Sequence, residues 1–226
     1  MVEQVAVFLD WQNVYRRARE SFHDVYADSH CGQVVPLDLA LCLTEQVADG
    51  APARELSEVR IYRGMPDQAV DPQGYAAFRR QATRWALNRK VSLHARKLRY
   101  PEGWSRGWAG EAPREKGVDV ALAVDLVTMA VERKFDTAIV MSSDQDLAPA
   151  VEFIKSRRTS LGVRVEVAAW RGDYGRSPNR ITAPGVYCHW LDQSTYWGLM
   201  DETDYNLDTD PPSSTGPVPR PPRPRF

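Results

Sequence analysis

The chain has 226 residues, 43% apolar and 26% charged, which is the balance of an ordinary globular protein with one sizeable domain and excludes a fibrous or wholly disordered chain. A formal net charge of -1 and a pI near 6.4 exclude a global attraction to polyanions, so any nucleic-acid partner has to be held by local patches. The three cysteines Cys31, Cys42 and Cys188 are odd in number and lack a C-x-x-C spacing, which excludes a disulfide framework or zinc finger and fits a reducing cytoplasm.

Residues 1–4 run straight into a strand-like segment, without the basic start or long apolar stretch of a signal peptide or membrane span, so a cytoplasmic protein with no membrane partner is expected. The run Val5-Ala-Val-Phe-Leu9 reads as a strand buried on both faces of a parallel sheet, ending at Asp10. Helical patterns follow at residues 13–21 and 37–48, a second strand at 56–63 closed by Gly64-Met-Pro66, a helix at 72–88 and a third strand at 91–95. From 100 to 115 the pattern breaks into Gly, Pro, Trp, Arg and Glu, a loop or hairpin excursion long enough to suggest function. A helix at 118–133, a strand at 137–141, a helix at 147–158 and a strand at 163–167 resume the alternation. A short helix within 170–181 and an edge strand within 186–191 complete a domain spanning 1–200, whose motif-bearing core is 1–170. Residues 201–210 are acidic and polar, and 211–226 contain seven prolines and three arginines, too little apolar surface to fold. That tail is predicted to be disordered, with its Pro-Arg run suited to a protein partner that reads polyproline II or to weak phosphate attraction, or else a mere linker.

Alternating β and α elements imply an α/β fold with a mainly parallel sheet of about five or six strands, whose sites form at the carboxyl ends of the strands. Asp10 ends the first strand, Asp144 and Asp146 follow the fourth, and Asp119 opens the helix that leads into it, so all four belong to that edge. Asp136 precedes the fourth strand and belongs about 15 Å away at the opposite edge. Asp125 lies about 240° around the helix from Asp119 and is expected at the surface or in a salt bridge. Carboxylates within about 5 Å of one another repel by roughly 3 kcal/mol per pair at an effective dielectric of 20, which asks for a cation. Oxygen-only ligands select Mg²⁺ or Mn²⁺ over zinc, with open positions for water and phosphate. Each aspartate alone reads equally as a turn former or helix cap, and Asp146 is the weakest, because it stands where it can simply cap the helix after it.

Three motifs, Phe8-Leu-Asp-Trp-Gln-Asn13, Lys116-Gly-Val-Asp119 and Ser142-Ser-Asp-Gln-Asp146, resemble in order and spacing those of the NYN domain family, a branch of the PIN-like nucleases that includes the LabA-like bacterial proteins. The resemblance covers about residues 1–170 and implies a Rossmann-like PIN fold with metal-dependent ribonuclease activity, in which Asp10, Asp119 and Asp144 are the catalytic, metal-binding acids and Asn13 and Asp146 accompany them. Ser143 replaces the glycine frequent in the family, and Leu147 stands where an aromatic is common.

For substrate binding, Asn13, Lys116, Ser142 and Ser143 are candidates beside the acids, against their readings as cap, solvated charge and turn formers. Trp104, Arg106 and Trp108 in the excursion combine stacking surfaces with a cation, and Arg63, with Arg60, Arg96, Lys97 and Arg99, extends a basic patch near the same edge. RNA is the expected partner, with DNA and a homo-oligomer left open. The competing reading is a catalytically silent NYN-type module that binds RNA or protein. A phosphotransferase is disfavoured, since Gln12 stands where a D-x-D would place its second acid and no G-x-x-x-x-G-K loop is present.

Overall fold

Val5, Ala6, Val7, Phe8 and Leu9 are all fully buried, which marks their strand as the middle of the sheet. In the computed structural model, which describes residues 2–24, 26–47, 52–107, 110–172 and 180–207, β1 (Glu3–Asp10) lies between parallel neighbours β2 (Arg54–Met65) and β4 (Thr137–Met141). Its side chains alternate with period two: Val5, Val7 and Leu9 enter one apolar core, and Ala6 and Phe8 enter the other. With β3 (Val91–Lys97), β5 (Arg164–Trp170) and β6 (Cys188–Leu191) the sheet has six strands in the order β3-β2-β1-β4-β5-β6, every neighbouring pair parallel. This is the α/β fold with a parallel sheet that the alternating pattern predicts, and the Rossmann-like arrangement that the family resemblance implies.

The helices are α1 (Trp11–Phe22), α2 (Pro36–Glu45), α3 (Pro72–Trp85), α4 (Val118–Val131), α5 (Ala148–Ser156), α6 (Arg158–Leu161) and α7 (Gln193–Leu199). One core joins Val14 and Phe22 of α1, Leu39 and Leu43 of α2 and Tyr196 of α7 to the sheet. The other joins Leu122 and Leu126 of α4 to Val151 and Ile154 of α5. The chain lays β2 and β3 outward on one side of β1, then crosses back to place β4 on the other. The strand order therefore reverses between β1 and β4, and a crevice opens outside their carboxyl ends. Leu9 pairs with Met141, so Asp10 and Ser142 leave the sheet side by side. Asp136 is at the far edge, where its Oδ2 accepts the Gln4 N–H at 2.7 Å, as its position before β4 predicts.

Several boundaries differ from those read in the sequence. The predicted 147–158 helix is a 3-10 turn at Gln145–Leu147, then α5, then the short α6. β5 runs on to Trp170, and residues 173–179, where most of the expected short helix falls, lie outside the described residues. α7 has no counterpart in the sequence reading. Its signal is the cap: Asp192 Oδ1 accepts from Thr195 N at 2.9 Å and Thr195 Oγ1 at 2.8 Å. Residues 201–207, expected to begin the tail, pack on the domain. Asp201 and Tyr205 are buried, Tyr205 OH donates to Asp201 Oδ2 at 2.7 Å, and the Tyr205 carbonyl accepts from Arg80 on α3. The Pro/Arg segment lies outside the described residues. All three cysteines are free thiols, and no described helix is long and apolar enough to cross a membrane.

Tyr196 carries α7. It is fully buried, its hydroxyl accepts the Gly32 N–H at 2.8 Å, and it lies 2.7 Å from His23 Nε2. Tyr196→Phe strands that buried N–H, so a loss of about 1–3 kcal/mol is expected in urea unfolding. An unchanged midpoint would contradict the role given to the hydroxyl.

Candidate metal centre

Asp119, Asp144 and Asp146 each present a carboxylate oxygen, and the three oxygens lie within 4.8 Å of one another. Asp119 comes from the first turn of α4, Asp144 from the residue that caps the 3-10 turn after β4, and Asp146 from that turn itself. The backbone brings the last two together: Asp146 N donates to Asp144 Oδ1 at 3.0 Å, so Asp144 is the cap and Asp146 is released to face the group. Asp119 and Asp144 are half-buried and Asp146 is exposed. At such separations each pair repels by roughly 3 kcal/mol at an effective dielectric of 20, less where water reaches them. Three hard oxygen ligands with one open side suit a divalent cation that keeps water or phosphate in its remaining positions.

Asp10, expected as a ligand, is not in that group of three. It lies one layer deeper, 5% exposed, as the N-cap of α1. Its Oδ2 accepts from Asn13 Nδ2 at 2.6 Å and Ser142 Oγ at 2.8 Å, and its Oδ1 accepts from Asn13 N at 3.3 Å. Burial pushes the Asp10 carboxyl above the usual carboxylate range and the Asp144 charge adds to that, while the donors from Ser142 and Asn13 pull against it. Ser142 links the layers, because its Oγ also accepts the Asp144 N–H at 3.0 Å. Ser143 Oγ donates to Asn13 Oδ1 at 2.6 Å and accepts from Arg17 Nε at 2.9 Å. Asn13, Ser142 and Ser143 thus form a hydrogen-bonded frame that orients Asp10 and Asp144.

The other predicted residues separate. Lys116 is exposed immediately before α4. Gly117 joins it to the helix in a left-handed conformation, φ 72°, and a Cβ there would find room, with Arg96 Nη1 at 3.6 Å. The left-handed backbone costs a residue with a Cβ about 1–2 kcal/mol. Gly117→Ala is therefore expected to lower stability by about 1 kcal/mol and weaken Mn²⁺ binding by re-aiming Asp119, visible as a smaller Mn²⁺-induced rise in melting temperature. Equal rises in both proteins would show that Asp119 is aimed by something else.

The excursion is a loop pinched at its neck, where Arg99 and Arg114 exchange backbone hydrogen bonds of 2.9 Å. Trp104 packs edge-on against Tyr100, ring centroids 4.8 Å apart, and Arg106 donates to Asp71, the cap of α3, at 2.9 Å, so both tie the loop down. Trp108 lies outside the described residues. The expected basic patch is partly spent in pairs. Arg60 binds Asp125 at 2.8 Å and Glu58 at 3.1 Å, and Lys97 binds Asp67 at 3.2 Å. Asp125 is the salt-bridge partner its position predicts. Arg63 is held by Gln81 beneath the Phe78 and Trp85 rings, and burial pushes its guanidinium down to about 10 against the pull of Glu115.

Glu115 is the residue that the sequence reading passed over. Its Oε1 accepts the Gly64 N–H at 2.5 Å, and a Cβ at Gly64 would sit 2.9 Å from the Glu115 side chain and 2.2 Å from Leu98 Cδ2, so both side chains would have to shift. Burial pushes its carboxyl up and the Asp10 charge adds to that, against the Gly64 N–H, Arg63 and Arg16. Its only signal was an acid next to Lys116 at the close of the loop.

Among solved structures, a protein of unknown function from Vibrio parahaemolyticus is similar, at 20% identity over 74% of this chain and 81% of that one, with a TM-score of 0.43. No curated protein is detectably similar in sequence. The model of the NYN domain matches residues 4–179, which takes in β1, the crossover and every acid of the centre. With that match added to the six-stranded parallel sheet and the acids at its switch point, the chain belongs to the NYN domain family.

Proposed function

We propose that the protein is a metal-dependent endoribonuclease that hydrolyses phosphodiester bonds of RNA with Mg²⁺ or Mn²⁺ as cofactor. The observation that carries the reading is the group Asp119, Asp144 and Asp146, within 4.8 Å of one another, in a chain of a nuclease-like family. These three acids hold the ion. When bound, it supplies charge stabilisation to an in-line displacement at phosphorus and lowers the pKa of the attacking water. Asp10 serves as a positioning residue: through Ser142 it sets the backbone of Asp144, and its own charge would add to the field that attracts a cation. Lys116, exposed at the entry to α4, receives a phosphate oxygen, and Asn13 and Ser143 keep the frame rigid.

Incubation of the purified protein with single-stranded RNA is the test. Internal cleavage that appears with Mn²⁺ or Mg²⁺ and stops with a chelator supports the reading. Folded protein that binds neither ion in calorimetry and leaves the RNA intact would sink it and favour the silent binding module.

A further inference from the structure

A cavity of about 280 Å³, close to the lower end of the roughly 300–1,000 Å³ typical of small-ligand pockets, is lined by Trp11, the residue after Asp10, and by Glu115, four residues before Asp119. Its walls come from the start of α1 (Trp11, Gln12), the end of β2 (Arg63) and the close of the excursion (Glu115), and it continues into an open groove along residues 111–115. The chemistry is two-sided. The Glu115 carboxylate, anchored by one oxygen on the Gly64 N–H, keeps its other oxygen and remaining lone pairs as acceptors. Arg63 and Arg16 line the same cavity, and the charges of both act on Glu115. Arg63 cannot swing away, because it is clamped by Gln81 and lies 5.0 and 5.6 Å from the centres of two aromatic rings. Gln33, whose Oε1 accepts from Gln81 Nε2 at 2.6 Å, also lines the cavity.

We infer that this cavity is a nucleobase subsite for the RNA substrate and that it selects guanine. Guanine presents acceptors at O6 and N7 beside two adjacent donors, N1–H and the 2-amino group. A carboxylate and guanidinium groups lining one cavity supply the acceptors and donors that complement that edge. Adenine and cytosine offer a ring lone pair where guanine has N1–H, which a carboxylate repels, and uracil offers a single N–H in place of two. Single-stranded RNA exposes these edges to such pockets. The inference rests on the ribonuclease reading for its substrate, and the cavity is joined to the proposed centre through Trp11, which follows Asp10 in the chain; the charge of Asp10 also acts on Glu115.

Base reading and cleavage are measured separately. Calorimetric titration with the 5′-monophosphates of guanosine, adenosine, cytidine and uridine, without metal, is expected to favour the guanosine nucleotide by about ten-fold or more. Glu115→Gln keeps a carbonyl for the Gly64 N–H but loses the charge, and is expected to collapse that preference. Should Glu115→Gln fail to fold, Arg16→Ala, which removes one of the two guanidinium groups that line the cavity, is expected to collapse the same preference. Equal affinity for all four, binding of none, or a preference that survives these changes overturns the proposal. In parallel, RNA oligomers that differ only in one base are incubated with Mn²⁺, and cuts beside the lone guanine are expected. Cutting without regard to base overturns the guanine subsite and leaves the ribonuclease standing. Guanosine preference with no cutting of any oligomer overturns the ribonuclease and leaves the subsite.

Discussion

Asp144→Asn is expected to abolish Mn²⁺-dependent RNA cleavage while leaving the fold intact. Asp144 faces Asp119 and Asp146 across no more than 4.8 Å, so replacing its carboxylate removes a ligand and a third of the charge that attracts the ion. The loss should exceed the roughly 10–100-fold that follows from changing residues that merely orient ligands. Without metal the variant should melt at the same temperature or higher, since one of three mutually repelling charges has gone. Asp119→Asn and Asp146→Asn should behave alike. Asp10→Asn separates the layers: its new amide NH₂ meets donors from Asn13 or Ser142, so it should lose stability as well as about 10–100-fold in metal affinity. Asp136→Asn, at the far edge, should leave cleavage unchanged. If Asp144→Asn cuts RNA as well as the parent protein, the centre has been assigned to the wrong residues.

Arg54→Ala is expected to be the most destabilising of the changes considered, by about 3 kcal/mol, because it takes the shared guanidinium from two buried carboxylates and leaves Glu3 with Arg164 alone and Glu166 with His189 alone. Arg54 bridges the strands at the amino edge of the sheet. Its Nε lies 3.1 Å from Glu3 Oε2 and its Nη2 lies 2.6 Å from Glu166 Oε1, with both carboxylates no more than 12% exposed. His189 Nε2 closes the network at 2.7 Å from Glu166 Oε2. Burial works to raise the Glu166 carboxyl, but the hydrogen bonds from His189 and Arg54 and the charge of Arg54 outweigh it and hold it down at about 2, against an ordinary 4.5. A depressed carboxylate contributes stability that is fully present above its unfolded value and is lost as pH falls through its folded value. The contribution of Glu166, about 3 kcal/mol, is therefore complete above pH 4.5 and disappears towards pH 2. Urea unfolding across that window should show stability falling steeply in the parent protein and less steeply in Glu166→Gln, which starts from a lower value. Parallel profiles would remove Glu166 from the acid response.

The residues of the switch-point site were legible to different degrees. Val5 to Leu9, apolar throughout, announces a central strand, and a residue that ends such a strand must stand at the switch-point edge, which is why Asp10 and Asp144 were found from pattern alone. Depth was not legible. Asp10 is submerged because Ser142 and Asn13 close over it, a contact between residues 132 positions apart that no local pattern encodes. Asp146 was undervalued for a related reason: an acid at the start of a helix reads as its cap, but the 3-10 turn gives the cap to Asp144 and frees Asp146. Glu115 depends on the pinched neck between Arg99 and Arg114 and on the missing side chain of Gly64, neither visible in a loop without periodicity. Trp104 and Arg106, which composition places on a nucleic-acid surface, also have tertiary partners, Tyr100 and Asp71, that no local pattern encodes.

The most direct measurement is the anomalous difference map of a crystal soaked in Mn²⁺. A single strong peak at coordination distance from Asp119, Asp144 and Asp146, lost in Asp144→Asn, is the result predicted. No peak among these three carboxylates in a crystal whose protein cuts RNA with Mn²⁺, or a peak held by other residues, would contradict the account.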